Sequence, residues 1–228
     1  MKPSNKERLY DDLKRDILTM ALEPGADLDE TRLSEKYDIS RTPLRDVFRQ
    51  LSGEGYLTIR DNRGAIVSPM SHKTLRDFFQ TAPLIYAAIS RLAAGRANPK
   101  QIAELKEIQQ SFTTSVRAER PDDMVFWNDR FHLFLGVIAD NQYLMPSLRR
   151  LLIDHARIGQ TFWRAQSDDM RDRIRTATEQ HERLIAAIEA GDPEAAVALT
   201  LEHWSLSREH LEMFVRPDPL PLDAPLSA

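Results

Sequence analysis

The sequence predicts a mainly α chain in two parts: a helix-turn-helix closed by a β-hairpin, then an all-helical bundle of six helices. Three observations predict it. Residues 40–51 wind into a helix with two unlike faces. Residues 56–67 combine short strand signals with turn residues. From residue 71 onward the strand signals vanish, and helical periodicity is broken only by short Pro, Gly or Asn punctuation.

The first part can be justified element by element. Residues 10–20 alternate apolar and charged side chains at helical spacing, with Leu9, Leu13, Ile17 and Leu18 on the apolar side. Glu23-Pro24-Gly25 breaks that helix with a turn. Asp29 caps a second short helix that runs through Lys36, and Asp38 closes it. The third helix carries Leu44, Val47, Phe48 and Leu51 at i, i+3, i+4 and i+7, one apolar stripe. Ser40 or Thr42 caps its start, and Pro43 sits in the first turn, where proline is tolerated. A strand at 56–60, turn chemistry at Asp61-Asn62-Arg63-Gly64 and a return strand at 65–67 make the hairpin, or wing.

The second face of the third helix holds Thr42, Arg45 and Arg49, with Ser40 and Arg41 at its start. Arginine forks of this kind reach guanine edges or phosphates while the apolar back anchors the helix. On a lone helix the same face is an ordinary solvated surface; a helix-turn-helix before it and a wing after it favour DNA. Arg60 and Arg63 stand on or near the wing tip, beside Gly64. The formal net charge of −4 does not advertise nucleic-acid binding. The charge is local: residues 40–64 hold five arginines against Asp46, Glu54 and Asp61.

The chain of 228 residues is long enough for two modest domains, divided at 1–70 and 71–216, with a proline-rich tail at 217–228 expected to be disordered. There is no cysteine, which excludes a disulfide framework and a thiolate metal site. No apolar leader and no membrane-length run occur, so a cytoplasmic chain with no membrane partner is expected.

In the second part the expected helices run over about 71–94, 98–119, 121–140, 143–165, 168–189 and 193–215. Asn98-Pro99 and Pro121-Asp122 start two of them, and Pro146 lies in a first turn. Gly191-Asp192-Pro193 separates the last two. Short loops between long helices imply antiparallel neighbours.

Histidines mark the inside of this bundle. Asn128 and His132 share a face at i and i+4. His181 lies in the stripe Ala177, Leu184, Ile185, Ile188, and His203 in the stripe Ala196, Leu199, Leu206. Imidazoles and a side-chain oxygen converging from separate helices can hold Zn²⁺ or another divalent first-row metal. Three separate core histidines, each satisfied by a neighbour, would occupy the same positions. His155 and His210 also fall near inner faces, and His72 lies beside the linker; these read first as structural.

Taken together, the motifs resemble the GntR superfamily of bacterial transcription regulators, in its FadR-like branch with the all-helical effector domain called FCD. Ser40-Arg41-Thr42-Pro43-Leu44-Arg45 stands where such proteins carry Ser-Arg-x-Pro-Val-Arg. Glu23-Pro24-Gly25 resembles their Pro-Gly turn, and Asn62-Arg63-Gly64 their wing. Phe131-His132 resembles the end of the family's Asp-x3-His motif. His181 follows His132 by 49 positions and His203 follows His181 by 22, spacings typical of the family. Asn141 stands at the family's Gly-Asn turn. The likeness spans about residues 8–215.

The resemblance implies a regulator that binds a palindromic operator on double-stranded DNA as a homodimer. A small carboxylate effector would enter the bundle and meet a metal held by Asn128, His132, His181 and His203. Tyr86, His155 and Arg157 are then the expected effector contacts. Several positions depart from the family. Asn128 replaces the usual Asp, so Zn²⁺ or Ni²⁺ is expected to bind weakly or partially. Asp38 replaces the turn glycine, a residue that tolerates the left-handed region. Thr31, with Arg32 beside it, takes the place of an arginine. Ala82 and Tyr86 replace an Arg and a Glu, which implies a different effector from those of better-known members. The alternative is a metal-dependent enzyme with an appended DNA-binding-like domain, but no carboxylate joins the four residues as a general base.

Overall fold

The computed structural model describes residues 3–60 and 64–215, without the side chains of 207 and 209–215. The expected turn at Asp61, Asn62 and Arg63, the tail at 217–228 and the side chain of His210 lie outside the described residues.

The chain is mainly helical, and its first part is a winged helix-turn-helix. Helix α1 (Asn5–Leu18) starts with a capping box between Ser4 and Glu7 and buries Leu9, Leu13, Ile17 and Leu18. Strand β1 (Asp27–Leu28) follows the Pro-Gly turn. Helix α2 (Glu30–Tyr37) is capped by Asp29, whose carboxylate accepts from the N–H groups of Thr31 and Arg32. Asp38 ends it at φ 48, in the left-handed region expected of a turn glycine. Helix α3 (Arg41–Glu54) buries the expected stripe of Leu44, Val47, Phe48 and Leu51. Ser40 is its N-cap residue, but its side chain makes no capping bond. Strands β2 (Leu57–Arg60) and β3 (Gly64–Val67) form the wing, antiparallel with Leu57 opposite Val67 and Arg60 opposite Gly64. Strand β1 adds to the far edge of β3, an element too short for periodicity to announce.

The second part comprises α4 (His72–Arg96), α5 (Pro99–Arg117), α6 (Pro121–Ala139), α7 (Leu144–Ile158), α8 (Gln160–Trp163), α9 (Asp168–Glu189) and α10 (Pro193–Val215). The expected single helix over 143–165 is therefore two. The interruption falls at Gly159, a poor helix former, where an added Cβ would lie 2.9 Å from the carbonyl oxygen of His155. Asn98 caps α5 through a capping box, and Pro99 and Pro121 occupy the first turns of their helices. Pro83 sits inside α4 without ending it.

Two apolar clusters organise the molecule. One joins the head residues Leu9, Leu44, Leu51 and Val67 to Phe112, Ile153 and Trp163 of the bundle. The other lies within the bundle, among Ile89, Leu105, Phe131, Leu148 and Leu184. Among the described residues, no helix is long and apolar enough to cross a membrane.

Candidate functional site

Three histidines from three helices converge inside the bundle. One nitrogen from each of His132 on α6, His181 on α9 and His203 on α10 lies within 4.8 Å of the others. All three side chains are buried, His181 completely. Asn128 is buried one turn before His132 on α6. Apolar neighbours fix the rings: Phe131 stacks on His181 with centroids 4.0 Å apart.

Hydrogen bonds fix the tautomers of two imidazoles. His181 Nδ1 lies 3.0 Å from Gln109 Oε1, and His203 Nδ1 lies 3.0 Å from Gln180 Oε1. Each glutamine's orientation is pinned in turn, because its NH₂ donates to acceptors that cannot donate back. Gln109 Nε2 donates to Thr178 O and Glu182 Oε1, and Gln180 Nε2 donates to Glu202 Oε1. Both Nδ1 atoms must therefore carry the proton, which leaves a lone pair on each Nε2. The Nε2 atoms of His132 and His181, with Asn128 Oδ1, are buried and have no hydrogen-bond partner. Buried polar atoms without partners cost free energy, and nitrogen and oxygen atoms of this kind are what a divalent metal takes as ligands. The outer glutamines match the usual second layer of such a site.

Burial also sets the charge. Desolvation, reinforced by the neighbouring imidazoles, holds His132 and His181 well below the ordinary histidine pKa. Desolvation alone takes His155 down to about 4, and with the neighbouring His155 takes His203 down to about 3. The cluster is neutral at pH 7, the form that ligates metal.

Tyr86 and His155 join the cluster from a second side. The Tyr86 hydroxyl lies 3.0 Å from His155 Nδ1, and both rings pack on His132. A small cavity of about 10 Å³ is lined by Tyr86, Ser90, His132, Thr200, His203 and four aliphatic residues. That is room for about one water. No arginine or lysine lines it among the described residues, and Ala82, at the family's arginine position, is fully buried. Arg157 is turned away: its guanidinium donates to the carbonyl of Ser68, between the two parts of the chain. Gln109 and Gln180 were missed in the sequence. Gln109 had a signal, a polar residue inside the stripe of Ile102, Leu105 and Phe112 on α5.

In the winged helix-turn-helix, Arg41, Thr42, Arg45 and Arg49 are exposed on α3, with Ser40 exposed at its N-cap, as the amphipathic pattern requires. Arg45 Nε donates to Glu30 at 3.2 Å, and Arg49 Nη1 to Asp46 at 2.6 Å. Arg60 pairs with Asp27. Gly64 has φ +74, and Glu30 approaches it at 3.5 Å from an added Cβ. Arg63 lies outside the described residues.

The two parts of the chain match two known families. Residues 77–206 match the FCD domain, and residues 5–67 match the bacterial regulatory proteins of the gntR family. The chain is similar to the HTH-type transcriptional repressor RspR of Escherichia coli (strain K12), with 27% identity over 197 residues, 86% of this chain and 84% of the relative. It is 30% identical over 197 residues to the probable D-xylose utilization operon transcriptional repressor of Paenarthrobacter nicotinovorans, 83% of each chain. The solved structure of E. coli McbR/YncC shares the fold, with a TM-score of 0.77 at 20% identity over 94% of this chain and 100% of that one.

Proposed function

The chain belongs to the gntR family of bacterial regulatory proteins and carries an FCD domain, and on that premise we propose an effector-controlled regulator that binds a palindromic operator as a C2 homodimer. Its relatives are transcriptional regulators, which sets the metal-dependent enzyme reading aside. In this reading residues 1–70 bind DNA, residues 71–216 take the effector and form the dimer, and the protein acts in the cytoplasm. Ser40, Arg41, Thr42, Arg45 and Arg49 meet the major groove, while Arg63 and Gly64 follow the backbone from the wing. Sedimentation at micromolar concentration is expected to show dimer; monomer alone, with and without operator, rejects the assembly.

One observation carries the effector half of the reading: three neutral imidazoles converge, with buried donor atoms that no protein group satisfies. His132, His181, His203 and Asn128 are the residues that would hold Zn²⁺ or Ni²⁺. A bound ion would supply the positive charge that a small carboxylate needs and that no lining side chain offers. Gln109 and Gln180 keep the Nε2 atoms of His181 and His203 free of protons, and Tyr86 and His155 present a hydroxyl and an imidazole beside the cluster. The cavity must widen for an organic acid to enter, so effector binding selects a more open bundle. Asn128 offers an amide oxygen without charge, so metal occupancy is weak or partial. Elemental analysis and calorimetry with Zn²⁺ and Ni²⁺ test the centre. Loss of the binding heat in His181→Ala supports it; a wild-type chain that takes up neither ion rejects it.

A further inference from the structure

Helix α7 has two working faces. Leu148 lines the histidine cavity, and His155, seven positions on, meets Tyr86 beside it. Arg150, Asp154 and Arg157 form a second stripe, about 200° round the helix from the first. That second stripe does not line the histidine cavity. It grips the DNA-binding head, and Gln160 of α8 extends the grip.

The grips fall on backbone carbonyls at the ends of three head elements. Arg150 Nη1 donates to the carbonyl of Gly55, the residue that caps the recognition helix α3. Gly55 is needed twice there: it adopts φ +95, and a Cβ would lie 2.8 Å from Arg150 Cδ. Arg157 Nη2 donates at 2.7 Å to the carbonyl of Ser68, the residue after wing strand β3. Gln160 Nε2 donates at 2.7 Å to the carbonyl of Leu18, the last residue of α1 and otherwise an orphan acceptor. Asp154, buried, braces Arg150 at 3.5 Å and Arg157 at 3.4 Å. The Arg157 side chain is wholly buried, and its Nε has no partner, so this guanidinium cannot relocate to water without breaking the interface.

We propose that Arg150, Arg157 and Gln160 are positioning residues: they latch the DNA-binding head to α7, so that a displacement of α7 on its cavity side turns the recognition helix. The regulatory meaning rests on the bundle being the effector site; the latch itself does not. Bonds to main-chain oxygens at element ends hold whole elements, which transmit a small shift without needing matched side chains on the head.

The absence of cysteine gives a clean test. Glu35→Cys on the head and Glu107→Cys on the bundle, both exposed, each take one spin label. Doubly labelled full-length chain is diluted into unlabelled chain, so that distances within one chain are read by double electron–electron resonance, in chelator. The otherwise unaltered chain is expected to give one narrow distance. Arg157→Met with Gln160→Met is expected to broaden it about twofold, with helical circular dichroism unchanged. Arg157→Lys keeps a donor for Ser68 and is expected to retain most of the narrowness, a rescue that generic core damage would not show. If the double variant does not fold, Gln160→Met alone is read against Arg157→Lys, and equal widths overturn the latch. His155→Ala, on the cavity side, is expected to move the mean distance by roughly 1–2 Å. An unchanged width in the double variant overturns the latch, and a mean unmoved by His155→Ala overturns the coupling. None of these readings requires metal or operator. A failure of Zn²⁺ to bind would sink the metal centre and leave the latch standing.

Discussion

At the scale of single residues, the proposed metal centre turns on Asn128 and on the glutamines behind the histidines. Asn128→Asp adds a negative charge to a buried, unpartnered oxygen position. It is expected to tighten Zn²⁺ binding at least about tenfold, read by calorimetry; equal affinity would mean that the side chain does not reach the ion. Gln109→Leu removes the acceptor that fixes the His181 tautomer. The expected loss is about 10–100-fold in metal affinity with the fold retained. On the other face, Arg45→Ala should cost about 1–3 kcal/mol on a selected operator and relax base preference. Because Glu30 holds Arg45 in the absence of DNA, Glu30→Gln should strengthen binding in the same gel shift. An unchanged operator affinity for Arg45→Ala rejects that face. The histidines were legible in the sequence because helical period alone turns His132, His181 and His203 inward. Gln180 was not, since it neighbours His181 and its role depends on a partner helix. Nor was the place of Arg157, whose acceptor is a backbone carbonyl 89 positions earlier in the chain.

At the scale of elements, caps and turn residues made most boundaries readable. Asp29, Asn98, Pro99 and Pro121 start helices where their local chemistry says they should. What local chemistry could not announce was the two-residue strand β1, which exists only because β3 offers it an edge. The break at Gly159 was equally silent, because the apolar pattern runs through it. The turn of the helix-turn-helix offers a test. Asp38 sets the angle between α2 and α3 from the left-handed region, where a β-branched side chain is strained. Asp38→Val is expected to destabilise the head by about 1–3 kcal/mol, and Asp38→Gly to be neutral or stabilising. Thermal melts of the full chain should separate the two variants. Equal melting temperatures for Val and Gly would show that the turn relaxes instead of holding its geometry.

At the scale of the whole molecule, the two-part design was visible where strand signals end, but the seating of the head on the bundle was not. That seating depends on Arg150, Arg157 and Gln160 meeting carbonyls far away in sequence. The bundle's buried charge state has a consequence that is equally global. His132, His155, His181 and His203 are neutral in the fold, with pKa values pushed below the ordinary value near 6.5 by burial. The unfolded chain regains ordinary histidines. Above about pH 6.5 both states hold these groups neutral, so their contribution is flat. Below it the unfolded chain binds protons that the fold refuses, and stability falls as pH falls. Each histidine contributes about 1.4 kcal/mol per pH unit until its folded pKa is reached. For His155 that is about 4 and for His203 about 3. His132 and His181 act in the same direction, so acidification draws on a typical stability of only about 5–15 kcal/mol from several buried groups at once. In chelator, the melting temperature of the chain is therefore expected to fall steeply from pH 6.5 to 4, and a His203→Gln chain to fall less steeply. Zn²⁺ bound by the neutral imidazoles should shift the onset to lower pH, because a ligand of the folded state adds to its stability. A melting temperature that stays level from pH 7 to 5 in chelator would mean that these histidines gain protons in the folded chain, and the neutral cluster on which the metal reading rests would have to be given up.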